Sequence, residues 1–242
     1  MAKVRLDQLV VTRGLVPTRS QAESWIRLGK VEVDGRIETK PGFAVADEAV
    51  VVLKATEQYV SRAGLKLASV AKALKLNFAN IVMLDVGSST GGFTDYALQH
   101  GARKVIDVEL GTDQLHPSLH GHPQIELHEQ TDIRDMHELS STPGMVVIDV
   151  SFISLRDVLP HIATLCNKQT RIVAMVKPQF EAGQSNLKHK GVIKNDRIRR
   201  DILKDFEDWA RQHFVMLDKA DSEVHGAKGN QERFYLLKTH TK

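Results

Sequence analysis

An apolar run from Ile81 to Leu84 passes directly into Asp85-Val86-Gly87-Ser88-Ser89-Thr90-Gly91-Gly92, and Phe93 to His100 then follows with helical spacing. A buried strand, a glycine-rich turn and a helix in that order make a β/α unit. The glycines allow a tight turn and close approach of main chain to a ligand. Free N–H groups at the helix start carry the positive end of a dipole, which suits a carboxylate or phosphate. The spacing is not the dinucleotide G-x-G-x-x-G, because Ser89 stands at the second glycine position, and no lysine follows as a P-loop requires. Alone, the turn fits plain α/β packing as well as it fits a ligand site.

The alternation continues down the chain. Lys104 to Val108 reads as a second strand, ending at Glu109 about 20 residues past the loop, the spacing of a carboxylate that accepts hydrogen bonds from ribose hydroxyls. Asp107 is a rival for that role. Ile125 to His128 leads to Glu129-Gln130-Thr131-Asp132, Met145 to Ile148 to Asp149, and Ile172 to Val176 to Lys177-Pro178; a helix from Arg197 to His213 and strands Phe214 to Leu217 and Phe234 to Leu237 complete the pattern. The expected fold class is α/β, a doubly wound Rossmann-like sheet, whose sites lie on loops at the C-terminal strand ends. Asp149 and Lys177 stand there, Glu232 starts the last strand, and Lys66 lies on a helix that Ser61 can cap. On that helix Leu65, Leu67, Val70, Ala71 and Leu74 form the apolar stripe, with Arg62, Lys66 and Lys72 expected off it. Each charged residue alone reads as an ordinary ion-pair member. Together, where doubly buried strands meet loops, they need partners, because desolvation is costly without one.

With 242 residues the chain has room for a large and a small domain, and no run approaches the roughly 18 apolar residues of a membrane span. The first residues lack the apolar core of a secretory signal, so a soluble, cytoplasmic monomer without a membrane role is expected. Cys166 is the only cysteine and lies in an apolar helical pattern, the setting of a buried small hydrophobe. His116, His120 and His122 have no acidic or cysteine ligand beside them and Pro117 interrupts them, so no metal is expected. A net charge of +3 permits nucleic-acid binding without demanding it.

From Arg5 to about Val52 the pattern changes. Leu6, Leu9 and Val10 mark one helix face; Thr18 or Ser20 can cap a second helix, continued by Ala22, Trp25 and Ile26 and closed at Gly29. Short strands follow at Val31-Glu32-Val33 and Ala49 to Leu53, with turns at Asp34-Gly35 and Lys40-Pro41-Gly42. Arg5, Arg13, Arg19, Arg27 and Lys30 flank the helices as a phosphate-binding face or a solvated surface, and only their placement separates the two. Arg5-Leu6-Asp7, Gly14-Leu15, Ser20-Gln21-Ala22, Gly29-Lys30-Val31, Val33-Asp34-Gly35 and Lys40-Pro41 resemble the small RNA-binding domain named after ribosomal protein S-four. Thr18-Arg19 stands where Ser-Arg is usual. The resemblance implies that these basic residues contact RNA.

The division expected is residues 1–56 as an α+β RNA-binding domain, 57–60 as a short polar link, and 61–242 as the catalytic domain. Across the latter, Tyr59-Val60-Ser61-Arg62 with Lys66-Leu67, Asp85 to Asp95, Asp149 to Leu155, Val176 to Glu181, and Gly229-Asn230-Gln231-Glu232 resemble the TlyA family. These are S-adenosyl-L-methionine-dependent ribosomal-RNA 2′-O-methyltransferases with an FtsJ-like domain, and hemolysin is also a family label. The resemblance implies a class I methyltransferase sheet of seven strands, the last antiparallel. It implies a Lys66, Asp149, Lys177, Glu232 catalytic tetrad, a methionine-binding loop at Asp85, Gly87, Ser88, Ser89, Thr90, Gly91, Gly92 and Phe93, Glu109 at the ribose and Asp132 near the adenine. Asp107-Val108-Glu109 replaces the usual Ala-Val-Asp, which leaves Asp107 unexplained. Arg62, Lys188 and Lys190 are further candidate RNA contacts, the substrate being ribosomal RNA or subunits and, by resemblance, a cytidine.

Methyl transfer to a 2′-hydroxyl needs a positioned oxygen and an acceptor for its proton. A neutral Lys177 suits the second role, with Asp149 orienting it and Lys66 and Glu232 holding the ribose. Two other readings compete. A base methyltransferase would want an aromatic and polar clamp such as Asn-Pro-Pro-Tyr after the fourth strand, where Asp149-Val150-Ser151-Phe152 stands instead. A membrane-active hemolysin would want a strongly amphipathic stretch, and none is visible.

Overall fold

The computed structural model describes residues 3–54, 59–182, 191–193, 195–226 and 229–240. The chain opens with strand β1 (Lys3–Arg5) and helices α1 (Leu6–Thr12) and α2 (Arg19–Arg27), followed by β2 (Val31–Val33), β3 (Arg36–Ile37), β4 (Ala44–Ala46) and β5 (Val51–Leu53). Thr18 starts α2 through a capping box: its hydroxyl accepts from the Gln21 amide while the Gln21 side chain returns to the Thr18 main chain. The Asp34-Gly35 turn has positive φ at both positions, 49° and 77°, which matches the twist of a two-residue hairpin joining β2 to β3. β1 pairs with β4, and β3, β2 and β5 form a second small sheet. The sequence pattern foretold β2 and β5 here, and β1, β3 and β4, of two or three residues each, add to them.

The remainder runs α3 (Arg62–Ala71), β6 (Val82–Val86), α4 (Gly92–Gln99), β7 (Lys104–Val108), β8 (Ile125–His128), β9 (Met145–Ile148), α5 (Leu159–Thr164), β10 (Arg171–Val176), α6 (Pro178–Glu181), α7 (Asp196–His213), β11 (Phe214–Asp221) and β12 (Arg233–Thr239). Its seven-stranded sheet has the order β11-β12-β10-β9-β6-β7-β8. β12 lies antiparallel to both β10 and β11, while β10, β9, β6, β7 and β8 are parallel neighbours. The expected α/β class, seven strands and antiparallel last strand are all present. β11 extends four residues beyond the Leu217 end expected, past a bulge between Met216 and Asp218.

Successive strand residues feed opposite cores, as a sheet covered on both faces requires. Met83, Val105, Val147, Val173 and Phe234 pack with α3 and α4; Leu84, Ile106, Val146, Ile172 and Tyr235 pack with α5 and α7. The first cluster continues without a break into Leu6, Trp25 and Ile26 of the N-terminal helices. Gln21 Nε2 donates to the Tyr59 carbonyl at 2.6 Å, and Val60 N donates to Asp95 Oδ2 at 2.8 Å. These bonds tie the end of the 57–60 link, of which residues 57 and 58 lie outside the described residues, to both α2 and α4. Cys166 falls just past α5 and is half-buried, with burial pushing its thiol up to about 12.

Candidate active site

The order of the sheet reverses between β6 and β9: the chain steps outward through β7 and β8, then returns to β9 and β10. Such a switch point opens a crevice at the C-terminal strand ends. Asp149 leaves β9 and Lys177 leaves β10 on that edge, and Glu232 enters β12 on the same edge because β12 runs the other way. Val176 pairs with Arg233, which sets Lys177 and Glu232 as the next neighbours across that strand boundary.

Lys177 Nζ lies 2.5 Å from Asp149 Oδ1 and donates to Ser151 Oγ at 2.7 Å. Lys66 Nζ lies 3.1 Å from Glu232 Oε1, and both side chains are buried. The structure thus gathers the four expected residues as two ion pairs. Lys66 was expected off the apolar stripe of α3; instead it is 8% exposed, on the side of the helix that meets the start of β12. The second carboxylate oxygen of Glu232, Oε2, is buried without a hydrogen-bond partner, an unmet acceptor beside the Lys66 ammonium.

The glycine loop separates into two kinds of glycine. Gly87 has φ +80°, and a Cβ there would stand 2.9 Å from the Asp149 carbonyl oxygen; Gly91 has φ +82° and is pressed by Leu115 and Leu119. Both shape the turn. Gly92 lets the start of α4 pack on Ser61, Ala63 and Gly64, where a Cβ would clash. The Phe93 ring is 2% exposed in the core, 6.1 Å from the Phe234 ring, so only its main chain faces the turn. Ser89 and Thr90 are exposed, while Ser88 is buried and its hydroxyl has no partner.

Glu109 does reach the loop. Its Oε2 accepts from Ser89 N at 2.9 Å and its Oε1 from Gly111 N at 2.8 Å, so two main-chain amides fix the carboxylate and leave each oxygen a further lone pair. Leu110 beside it is 68% exposed. Asp132, in the loop that follows β8, is bound by the Arg134 guanidinium, whose hydrogen bonds hold its carboxyl below the usual range.

Phe152 carries the site's most unusual geometry. It is 92% exposed with φ +66°, a conformation costly for a bulky side chain, three residues past Asp149. Its ring centroid is 5.2 Å from that of Phe180, whose ring in turn lies 5.9 Å from Lys177 Nζ. Glu181 pins the loop from beneath, accepting from Ser154 Oγ at 2.6 Å and Leu155 N at 2.7 Å, and burial raises its pKa. Sequence reasoning quoted this loop without using Phe152, Ser151 or Glu181; an aromatic residue beside a strand-end carboxylate was the available signal.

The N-terminal cations divide. Asp7 is fully buried and holds Arg5 (Nη2 to Oδ2, 2.8 Å) and Arg19 (Nε to Oδ2, 2.9 Å), side chains that remain half exposed. Burial alone would raise the Asp7 pKa, but hydrogen bonds from Arg5 and Arg19 outweigh it and hold the carboxyl low. Arg13 donates to the Ala49 and Asp47 carbonyls, both at 2.5 Å, which fastens α1 to the turn before β5. Lys30 is exposed. Arg27 and Arg62 line a cleft of about 400 Å³ together with Glu23, Ser24, His225 and Gly226, and a Cβ on Gly226 would strike Glu232 Oε1. That cleft therefore runs beside α2 with one wall, Gly226, against Glu232. Lys188 and Lys190 lie outside the described residues.

A seven-stranded sheet of this order, with a fixed carboxylate at the end of β7 and a glycine turn after β6, defines the class of the protein as an α/β methyltransferase. Residues 59–239 match the FtsJ-like methyltransferase family and residues 4–51 the S4 domain. The 16S/23S rRNA (cytidine-2′-O)-methyltransferase TlyA of Mycobacterium tuberculosis is 35% identical over 244 residues, covering 99% of this chain and 91% of that protein. A solved structure from Streptococcus thermophilus, described as a hemolysin, is 35% identical with a TM-score of 0.73 and covers 100% of this chain and 90% of that one. A crystal structure of an S-adenosylmethionine-dependent methyltransferase from Mesorhizobium loti shares the fold alone, with a TM-score of 0.51 and 13% identity over 72% of this chain and 99% of that one. The chain belongs to the TlyA family of FtsJ-like methyltransferases. Among the described residues no helix is long and apolar enough to cross a membrane.

Proposed function

We propose that this protein transfers a methyl group from S-adenosyl-L-methionine to the 2′-hydroxyl of a cytidine ribose in ribosomal RNA, acting as a cytoplasmic monomer. Residues 1–56 serve as its RNA-binding domain, 57–60 as the link and 61–242 as its catalytic domain. The observation that carries the reading is the Lys177–Asp149 pair at the switch point, beside Lys66–Glu232. The residues of the crevice fit the cofactor. Glu109 keeps lone pairs for two ribose hydroxyls, Leu110 offers an exposed apolar surface to an adenine, and Asp85 and Ser88 keep buried polar atoms without partners behind the glycine turn. When bound, the cofactor supplies an electrophilic methyl on its sulfonium.

The chain's part is to hold the hydroxyl and take its proton. Lys177 Nζ, unprotonated when it acts, accepts the 2′-hydroxyl proton, and Asp149 and Ser151 fix its direction. Lys66 and the free Oε2 of Glu232 bracket the ribose, one donating and one accepting. Phe152 offers a ring face on which the target base can stack once it has left its helix. Two effects follow from that placement. Phe152→Gly lowers methylation about 10- to 100-fold, the loss of one stacked base, while raising stability by about 1 kcal/mol because glycine carries positive φ without strain; paired activity and thermal-melting assays read the opposite signs.

Arg27 and Arg62 lie where a strand leaving the tetrad would meet α2, and Arg5 and Arg19, set by Asp7, present a second basic surface. Arg27→Ala with Arg62→Ala raises the KM for RNA about tenfold and flattens its salt dependence, with cofactor affinity unchanged. Unmodified ribosomal subunits incubated with methyl-labelled cofactor test the reading directly: label in an alkali-resistant dinucleotide supports it, and label recovered on a free base would replace it with base methylation.

A further inference from the structure

Asp107 takes no part in the chemistry described so far, yet it is fully buried in the middle of the sheet, in register with Asp85 on the neighbouring strand. Both carboxylates reach the same hydroxyl. Thr94 Oγ1, on α4, is 2.8 Å from Asp85 Oδ2 and 2.6 Å from Asp107 Oδ1. A hydroxyl has one hydrogen and can donate to only one of them. The second contact is a hydrogen bond only if that carboxyl is itself protonated and donates to the threonine oxygen.

The surroundings agree with that count. Neither carboxylate has an ion pair with a lysine, arginine or histidine among the described residues, and the remaining oxygens, Asp85 Oδ1 and Asp107 Oδ2, are buried without partners. Asp107 on β7 and Asp149 beyond β9, both carboxylates, act on Asp85 and disfavour a second negative charge there. Burial is the largest cause raising both groups, and it brings Asp107 to about 7. Asp85 immediately precedes the glycine turn.

We propose that Asp85 and Asp107 share a single proton through Thr94 in the free protein, and release it to solvent when the cationic amino group of S-adenosyl-L-methionine settles at the glycine turn. Asp107 is then a positioning residue: by sharing that proton with Asp85 it holds the pair at one negative charge, and the pair takes its second only when a cation arrives. The inference rests on the reading of the turn as the cofactor site. Folding responds in the same sense. The folded pair binds its proton more tightly than an unfolded aspartate, so its stabilising effect is full at about pH 4 and is lost as the pH rises towards about 7.

Calorimetric titration of the full-length protein with S-adenosyl-L-methionine, in two buffers of different ionisation heat, reads the proton directly. Wild type is expected to release about one proton near pH 6, and to bind about tenfold more weakly for each unit of pH below 7. Asp107→Asn, whose amide can donate to Thr94 Oγ1, is expected to release none and to bind with an affinity flat between about pH 6 and 8. Its melting temperature should also lose the fall that wild type shows between about pH 4 and 7. Equal proton release by both proteins, or none by wild type, overturns the inference and leaves the cofactor site standing; no binding by folded wild type overturns both. If Asp107→Asn does not fold, the infrared difference spectrum of wild type replaces it: a protonated-carboxyl band that disappears on cofactor addition supports the shared proton, and an unchanged carboxyl region refutes it.

Discussion

Lys177→Ala is expected to lose methyl transfer by about 10³-fold or more, the range of a positioned proton acceptor, while its affinity for S-adenosyl-L-methionine stays near that of wild type. The separation follows from placement. Lys177 leaves β10, two strands away from the glycine turn after β6, and its contacts run to Asp149, Ser151 and the Phe180 ring. Lys177→Arg should not restore the rate, because a guanidinium stays protonated and cannot accept the hydroxyl proton. Single-turnover transfer and equilibrium cofactor binding, measured on the same preparations, give the two numbers; a parallel loss of binding would assign Lys177 to the cofactor instead.

Gly87→Ala should disable both the fold around the site and the reaction. The φ of +80° costs a non-glycine residue about 1–2 kcal/mol, and overpacking typically adds about 1–3 kcal/mol. The new Cβ would stand 2.9 Å from the Asp149 carbonyl oxygen and 3.2 Å from its carbon. Asp149 must then move, and with it the carboxylate that orients Lys177. Denaturant unfolding should show a loss of about 3 kcal/mol, and residual activity should fall with it. A variant as stable as wild type would mean that the turn is looser than its contacts with β9 indicate.

Much of the catalytic half could be read from the sequence because its strands are buried on both faces, so apolar runs end sharply at the charged residues that matter. That contrast drew attention to Asp149 and Lys177, spacing from the glycine turn marked Glu109, and the family resemblance supplied their roles. Lys66 was harder: on a helix with an apolar stripe, periodicity set it outside, and only its distant partner Glu232 explains its burial. Cross-strand register is equally invisible in one dimension, which is why Asp107 had no role until β7 lay beside β6 and Thr94 closed over both carboxylates. The glycine turn also carries packing that the motif does not announce. Gly92 meets α3 and the Phe93 ring enters the core, since a helix start must pack as well as bind. In the small module, counting arginines could not tell Arg13, which serves backbone carbonyls, from Arg5 and Arg19, which a buried Asp7 sets half exposed.

The most direct measurement is mapping of ribose methyls on ribosomal RNA after unmodified subunits are incubated with S-adenosyl-L-methionine and either wild type or Lys177→Ala. The account predicts a 2′-O-methyl on a cytidine with wild type and none with the variant. A methyl on a base, or one that persists at the same ribose when Lys177 is absent, would contradict it.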